Sequence, residues 1–179
     1  MTTVTTRRRP GATLRSPHGP RLVPSPVRRG RREDATALQA LSRPFVHTGA
    51  LRDRPLSVYA SEASDFLVYQ APDGTLGGCL GLRMHPGEGD RGPAGVLFNF
   101  CVARHMQGRG VGGMLLRDAL SRAHANSLFA LFAATTGSGA LFRTYGFAHE
   151  GAAALAPSAW VASLDPRRGA QVLARRLAP

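Results

Sequence analysis

The chain has 179 residues, 43% of them hydrophobic, with 23 basic and 11 acidic residues and a net charge of +12. This length and apolar content suit one globular domain with its own core, and no apolar run approaches the roughly 20 residues that cross a bilayer. Cys79 and Cys101 lie in apolar surroundings, without CxxC or metal-ligand spacing, so they read as buried free thiols and no metal is expected.

In chain order, residues 1–25 come first as a basic tail rich in Pro, Arg and Thr, expected to be disordered. Residues 1–32 hold nine Arg and no acid, leaving 14 Arg against 11 acids beyond them. The positive charge is thus mostly a property of the tail, and neither a specific nucleic acid nor a membrane is expected as partner. The tail has no apolar h-region, so it is not a secretory signal, and the expected address is cytoplasmic.

A domain spanning 26–179 follows. Val27–Gly30 reads as a first strand. Glu33 and Asp34 open a helix with Ala37, Leu38 and Leu41 as its apolar stripe, and Pro44 is expected to stop it. A second helix is expected from Pro55 to Ala63. Phe66–Gln70 and Thr75–Arg83 are strand-like runs flanking Ala71-Pro72-Asp73-Gly74, a hairpin turn in which Asp-Gly supplies positive φ. His85–Gly92 is a Gly/Pro-rich loop. Val96–Ala103 reads as an apolar run and is expected to be a central strand. Gly110–Ala125 is an amphipathic helix, Leu128–Ala134 a buried strand, Gly139–Tyr145 a short helix closed by Gly146, and Gln171–Leu177 a last strand. The pattern implies an α/β (α+β) domain: one mixed sheet with helices on its faces.

The chemically informative segment is Gln107-Gly108-Arg109-Gly110-Val111-Gly112-Gly113, between a buried strand and an amphipathic helix. Glycines let a backbone approach a ligand closely, and free N–H groups at a helix N-terminus attract anions, so the segment reads as a pyrophosphate cradle. It lacks the GK[ST] of a P-loop. Its glycines fall as GxGxGG, unlike the GxGxxG of a dinucleotide fold.

Gln107, Gly110 and Gly112 match [QR]xxGx[GA], and the segment resembles the acetyl-CoA motif of the GNAT N-acetyltransferases. The resemblance implies the GNAT fold, with a single mixed and mostly antiparallel sheet, and acetyl-CoA as cosubstrate. Residues 107–113 would hold the pyrophosphate, the backbone of Phe100, Cys101 and Val102 the pantetheine arm, and Phe142 the cofactor side. Within the superfamily the chain is similar to bacterial amino-acid N-acetyltransferases of the N-acetylglutamate synthase type. Four segments carry this likeness: Asp53-Arg54-Pro-Leu-Ser-Val-Tyr59, Asp65-Phe66-Leu-Val68, Thr135-Thr136 through Phe142 to Gly146-Phe147, and Arg168-Gly-Ala170-Gln171-Val172-Leu173.

That likeness implies Arg54 and Arg168 as contacts for a carboxylate-bearing amino-acid substrate, since guanidinium forks bind carboxylates bidentately. A homodimer is compatible with it. Three positions depart from the pattern: Val96 stands where the family places a Glu, Ala170 where it places a Ser, and Gln171 where it places a Lys. The general base is open among Glu62, His85, His105, His149 and Glu150. Phe142 occupies the position where many GNAT enzymes place a Tyr that protonates the leaving thiolate, so nearby Tyr145 is the catalytic candidate. Other readings keep the chemistry but change the acceptor to an aminated secondary metabolite, drug or protein N-terminus, or replace catalysis with acyl-CoA binding alone.

Overall fold

A computed structural model describes residues 25–177; the expectation for the basic tail lies outside these. Six strands form one sheet in sequence order: β1 (Val27–Arg29), β2 (Phe66–Gln70), β3 (Leu76–His85), β4 (Ala94–Val102), β5 (Ala130–Thr135) and β6 (Gln171–Arg176). All neighbours are antiparallel except β4 and β5. That parallel step requires a crossover, supplied by helix α3 (Val111–Ala125).

One face of the sheet packs against α3 and the short α4 (Ala140–Thr144). There Leu67, Leu80, Leu97, Leu131 and Leu173 meet Val111, Leu115, Leu116 and Ala119 of α3 and Phe142 of α4. The other face carries two groups of helices. Helices α1 (Ala35–His47) and α2 (Leu56–Ser61) cover Phe66, Val68, Cys79 and Cys101, while α5 (Ala152–Leu155) and α6 (Ser158–Ala162) cover Val96, Phe132 and Val172.

Several expectations are corrected. Helix α1 runs through Pro44 to His47. The proline sits in the last turn on the exposed side, where losing one backbone bond is tolerable. In the β2–β3 hairpin only Gly74 takes positive φ, at 86°. The Gly74 N–H donates to the Ala71 carbonyl at 2.9 Å, so the connection is an ordinary turn followed by a glycine bulge rather than a two-residue Asp-Gly turn. Helices α5 and α6 had no counterpart in the sequence reading. Each is a single turn, too short to display a helical period.

The strand expected at Val96–Ala103 is β4, and it is not regular. Its pairing with β3 runs Gly78↔Val102 and Cys79↔Cys101, then Gly81↔Phe98. Asn99 and Phe100 together oppose the single residue Leu80, which is a β-bulge. Strict alternation is broken as a result. Phe98 and Asn99, though consecutive, both lie on the α1/α2 face, while Phe100 turns to the α3 face and packs edge-to-face on Phe142 at 5.6 Å.

Candidate active site

β4 and β5 part company. Their ladder ends at Leu97↔Ala133, although β4 continues to Val102 and β5 to Thr135. The β4 backbone groups that face β5 beyond Leu97 therefore lack a strand partner. The parting opens toward the N-terminus of α3 on one face and toward a cavity on the other.

On the α3 face, the turn at residues 107–110 leads directly into the helix. Gly108 and Gly110 have φ of 74° and 79°, which an L side chain adopts only with strain, and a Cβ on either would meet nothing within 4 Å. Gly110 is the N-cap and no side chain among the described residues caps the helix, while the Met114 N–H already bonds the Gly110 carbonyl at 3.0 Å. The amides of Val111, Gly112 and Gly113 are thus free at the positive end of a 15-residue helix. Gln107 is exposed, and its amide donates to the Val102 carbonyl at 3.0 Å, fastening the turn to the end of β4. Arg109 is exposed beside it.

The last two glycines of the motif serve packing. A Cβ on Gly112 would stand 2.9 Å from Leu141, and one on Gly113 would stand 2.5 Å from the Tyr145 hydroxyl. That hydroxyl also accepts from Arg117 at 3.0 Å. The structure therefore sets Tyr145 against the first turn of α3 and outside the cavity. Phe142 is a core residue wedged between Phe100 and Phe147. The Cys101 thiol lies on the opposite face, 3.5 Å from the Cys79 sulfur, so only its backbone can face the parting. The hydrogen bond with the Cys101 thiol, and then burial, push Cys79 up, which keeps it protonated.

On the other face lies a cavity of about 410 Å³, floored by Val96, Leu97, Phe98 and Asn99 of β4 and walled by the loop after α1, by β3 and by residues 159–170. Arg52, Arg54, Arg83 and Arg168 all line it. Arg54 and Arg83 each hold a guanidinium 5.0 Å from the centroid of the Phe98 ring, itself seated directly over Gly81. Arg83 is neutralised from behind by Glu62 at 2.5 Å and Asp65 at 3.2 Å. Burial works against the Arg83 charge, but these carboxylates outweigh it and raise its pKa.

Arg54 has no such partner among the described residues. Its Nε is buried and unbonded, and burial pulls its pKa down. Arg52 donates to the Ser163 carbonyl at 3.0 Å and Arg168 to the Gly49 carbonyl at 2.6 Å, strapping the mouth of the cavity. A net positive chamber of this size suits a small anion.

The structure brings together the predicted Arg54 and Arg168, and adds Arg52, Arg83 and Phe98, which the sequence reading did not assign to the site. Of the five candidate bases, His85 lines the cavity. Glu62 is committed to Arg83, His105 and Glu150 are exposed elsewhere, and His149 meets the Val172 carbonyl at 2.9 Å. Burial and the charge of Arg83 lower the pKa of His85.

The strand parting, the glycine turn and the uncapped helix coincide with a sequence match: residues 34–147 match the acetyltransferase (GNAT) family. The chain belongs to the GNAT acetyltransferase family. Solved structures agree with this. The Neisseria gonorrhoeae N-acetylglutamate synthase in complex with coenzyme A and N-acetyl-glutamate is similar to this GNAT chain at 27% identity and a TM-score of 0.76, over 86% of this chain and 35% of that one. The chain thus spans about a third of the synthase's length.

A Mycobacterium tuberculosis protein solved with CoA shares 24% identity at a TM-score of 0.67, covering 85% of this chain and 99% of that one. A Brucella melitensis ribosomal-protein-alanine N-acetyltransferase shares 20% identity at 0.63, covering 84% and 99%. These last two show the fold. No match was found among curated proteins. Among the described residues no helix is long and apolar enough to cross a membrane, and no group of His, Cys, Asp and Glu is placed to hold a metal.

Proposed function

We propose that the protein transfers an acetyl group from acetyl-CoA to the primary amine of a small, carboxylate-bearing amino-acid-like acceptor. The observation that carries this reading is the arginine-lined cavity opening at the β4–β5 parting. The diphosphate of coenzyme A would lie on the free amides of residues 111–113, with its pantetheine arm passing along β4 between the strands. That route delivers the thioester to the floor of the cavity. Acceptor carboxylates would pair with Arg54 and Arg168, and Arg52 would add charge at the mouth. That the Neisseria synthase was solved with coenzyme A and N-acetyl-glutamate supports a site that takes both the cofactor and an amino-acid-like acceptor.

In the reaction, the neutral amine attacks the thioester carbon and forms the C–N bond. β4 N–H groups left unpaired past Leu97 stabilise the oxyanion. Collapse breaks the C–S bond, and the surplus proton on the new C–N nitrogen passes through water to the departing thiolate, leaving the amide and CoA thiol. The ammonium form of the acceptor must first lose a proton, and His85, neutral at pH 7 and lining the same cavity, accepts it through cavity water. Tyr145 flanks the pyrophosphate side in this arrangement and is assigned there rather than to the sulfur.

A thiol-release assay with acetyl-CoA across L-glutamate, other amino acids, polyamines and an N-terminal peptide tests the reading. Turnover of carboxylate-bearing amines is expected, with polyamines excluded by like charge. Turnover of polyamines or peptide alone would overturn it, as would tight acetyl-CoA binding with no turnover of any amine.

A further inference from the structure

The mechanism leaves unexplained the most unusual residue in the central strand. Asn99 is the one polar side chain in the run Val96–Val102, it is 7% exposed, and its φ is 48°. Only two residues other than glycine take positive φ among those described, and the second, Ser127, lies in the turn after α3. Asn tolerates this region better than most residues, yet a non-glycine residue there inside a buried strand needs a compensating cause.

The cause is a network. The Asn99 amide nitrogen donates to the Ser42 hydroxyl of α1 at 2.8 Å, and Ser42 donates onward to the Leu38 carbonyl at 2.8 Å. The Tyr59 hydroxyl of α2 donates to the Asn99 carbonyl oxygen at 3.4 Å. The Cys79 thiol of β3 donates to the Asn99 backbone carbonyl at 3.5 Å. One side chain thus ties both helices beside the cavity to β4, at the bulge and two residues past the last β4–β5 pair. With regular alternation instead, Asn99 would point into the α3 core and Phe100 into the polar cluster around Ser42, and both placements would bury groups without partners.

We infer that Asn99 is a positioning residue which, through Ser42 and Tyr59, holds the β4 bulge so that the strand's free amides face the acyl carbonyl. This rests on the acetyl-transfer reading above. The acetyl group reaches β4 at this point, and a shift of about 1 Å in such donors can cost on the order of 100-fold in rate. The network also links acceptor site to acyl site, because α1 and α2 flank the loop that carries Arg52 and Arg54.

The test compares Asn99→Gly, which keeps the left-handed φ but removes the side-chain anchors, with Ser42→Ala, which removes one anchor and leaves the strand untouched. Each is assayed for kcat and KM with the amine that the wild type turns over best, for CoA affinity by calorimetry, and for thermal stability. The expected result for Asn99→Gly is a fall in kcat of about 10- to 100-fold, with CoA affinity within about two-fold of wild type. Ser42→Ala is expected to lower kcat in the same direction by a smaller factor. A loss of thermal stability with kcat preserved in both variants would make the network merely structural and overturn the inference. Should Asn99→Gly fail to fold, an unchanged kcat in Ser42→Ala overturns it alone. A wild type that binds acetyl-CoA and acetylates no amine would overturn the acetyl-transfer reading, and this inference with it.

Discussion

Replacing Gly110 with alanine separates two reasons for a glycine at a ligand site. The residue sits at φ 79° with nothing within 4 Å of where its Cβ would be, so the added methyl meets no steric obstacle and the cost is purely conformational. For an L residue in this region that cost is about 1–2 kcal/mol. The penalty can be borne in place, lowering stability, or relieved by reshaping the turn. Residues 107–110 are exposed and, among the described residues, their one side-chain tether is the Gln107–Val102 bond, so relief is the cheaper outcome. Coenzyme A must then rebuild the left-handed turn to reach the amides of residues 111–113, and its affinity falls by about 5- to 30-fold, the same 1–2 kcal/mol read as binding.

Calorimetric titration with CoA, alongside melting curves of the free protein, measures both terms. Gly112→Ala is the control. Its methyl would press on Leu141, a side chain 40% exposed and free to swing aside, and alanine raises helix propensity. A CoA dissociation constant for Gly110→Ala within two-fold of wild type, with the melting temperature also unchanged, would refute the cradle.

Two further outcomes concern the cavity. Arg54→Gln removes a half-buried guanidinium that has no carboxylate in salt-bridge contact among the described residues, and should raise the acceptor KM by about 10- to 100-fold, the worth of a charge-assisted hydrogen bond. CoA affinity should not change in that variant, and an unchanged acceptor KM would remove Arg54 from the site. The pKa of His85 is lowered from its ordinary 6.5 by burial and by Arg83, with Glu88 opposing. Its neutral form therefore persists to lower pH, and an activity that needs the neutral imidazole is full above the lowered pKa and lost as pH falls through it. The kcat profile should show an acid limb below 6.5 that disappears, with a lower plateau, in His85→Gln; an identical limb in the variant would exclude His85 as the base.

Much of this architecture was legible because period and punctuation agree. The run Phe66–Gln70, the Gly110–Ala125 stripe and the Gln107–Gly113 glycines each announce one local structure, and each forms within a residue or two of the expected bounds. The bulge was not legible. It arises from tertiary demand, since Ser42 and Tyr59, 57 and 40 residues away in sequence, reward a left-handed Asn99. A lone Asn in an apolar run was its only trace. Arg52, Arg83 and His85 were equally hidden as a group. Arg83 and His85 share a face of β3 by simple alternation, but only the packed loop after α1 brings Arg52 and Arg54 over them.

Val96 sharpens the question of how an amine is deprotonated here. It pairs with Arg83 across β3–β4, where the resemblance leads one to expect a glutamate. The nearby carboxylates, Glu62 and Asp65, are spent on Arg83 from behind, so they cannot serve as bases while that pair holds. The cavity therefore offers an ammonium one carboxylate, Asp165, already paired with Arg167, against the four arginines that line it. A guanidinium about 6 Å from an ammonium, at an effective dielectric near 20, disfavours it by roughly 3 kcal/mol, or about two pK units. Bound acceptor carboxylates offset part of this, and what is left lowers the amine pKa toward that of the imidazole that takes its proton. On the proposed reading a positive field would take the place of a strong base, and the same arginines that select the acceptor would make its nitrogen nucleophilic. Restoring the acid with Val96→Glu should then slow the enzyme rather than speed it, because the new carboxylate would pair with Arg83 and weaken the field; a faster enzyme would show that the field is not what frees the amine.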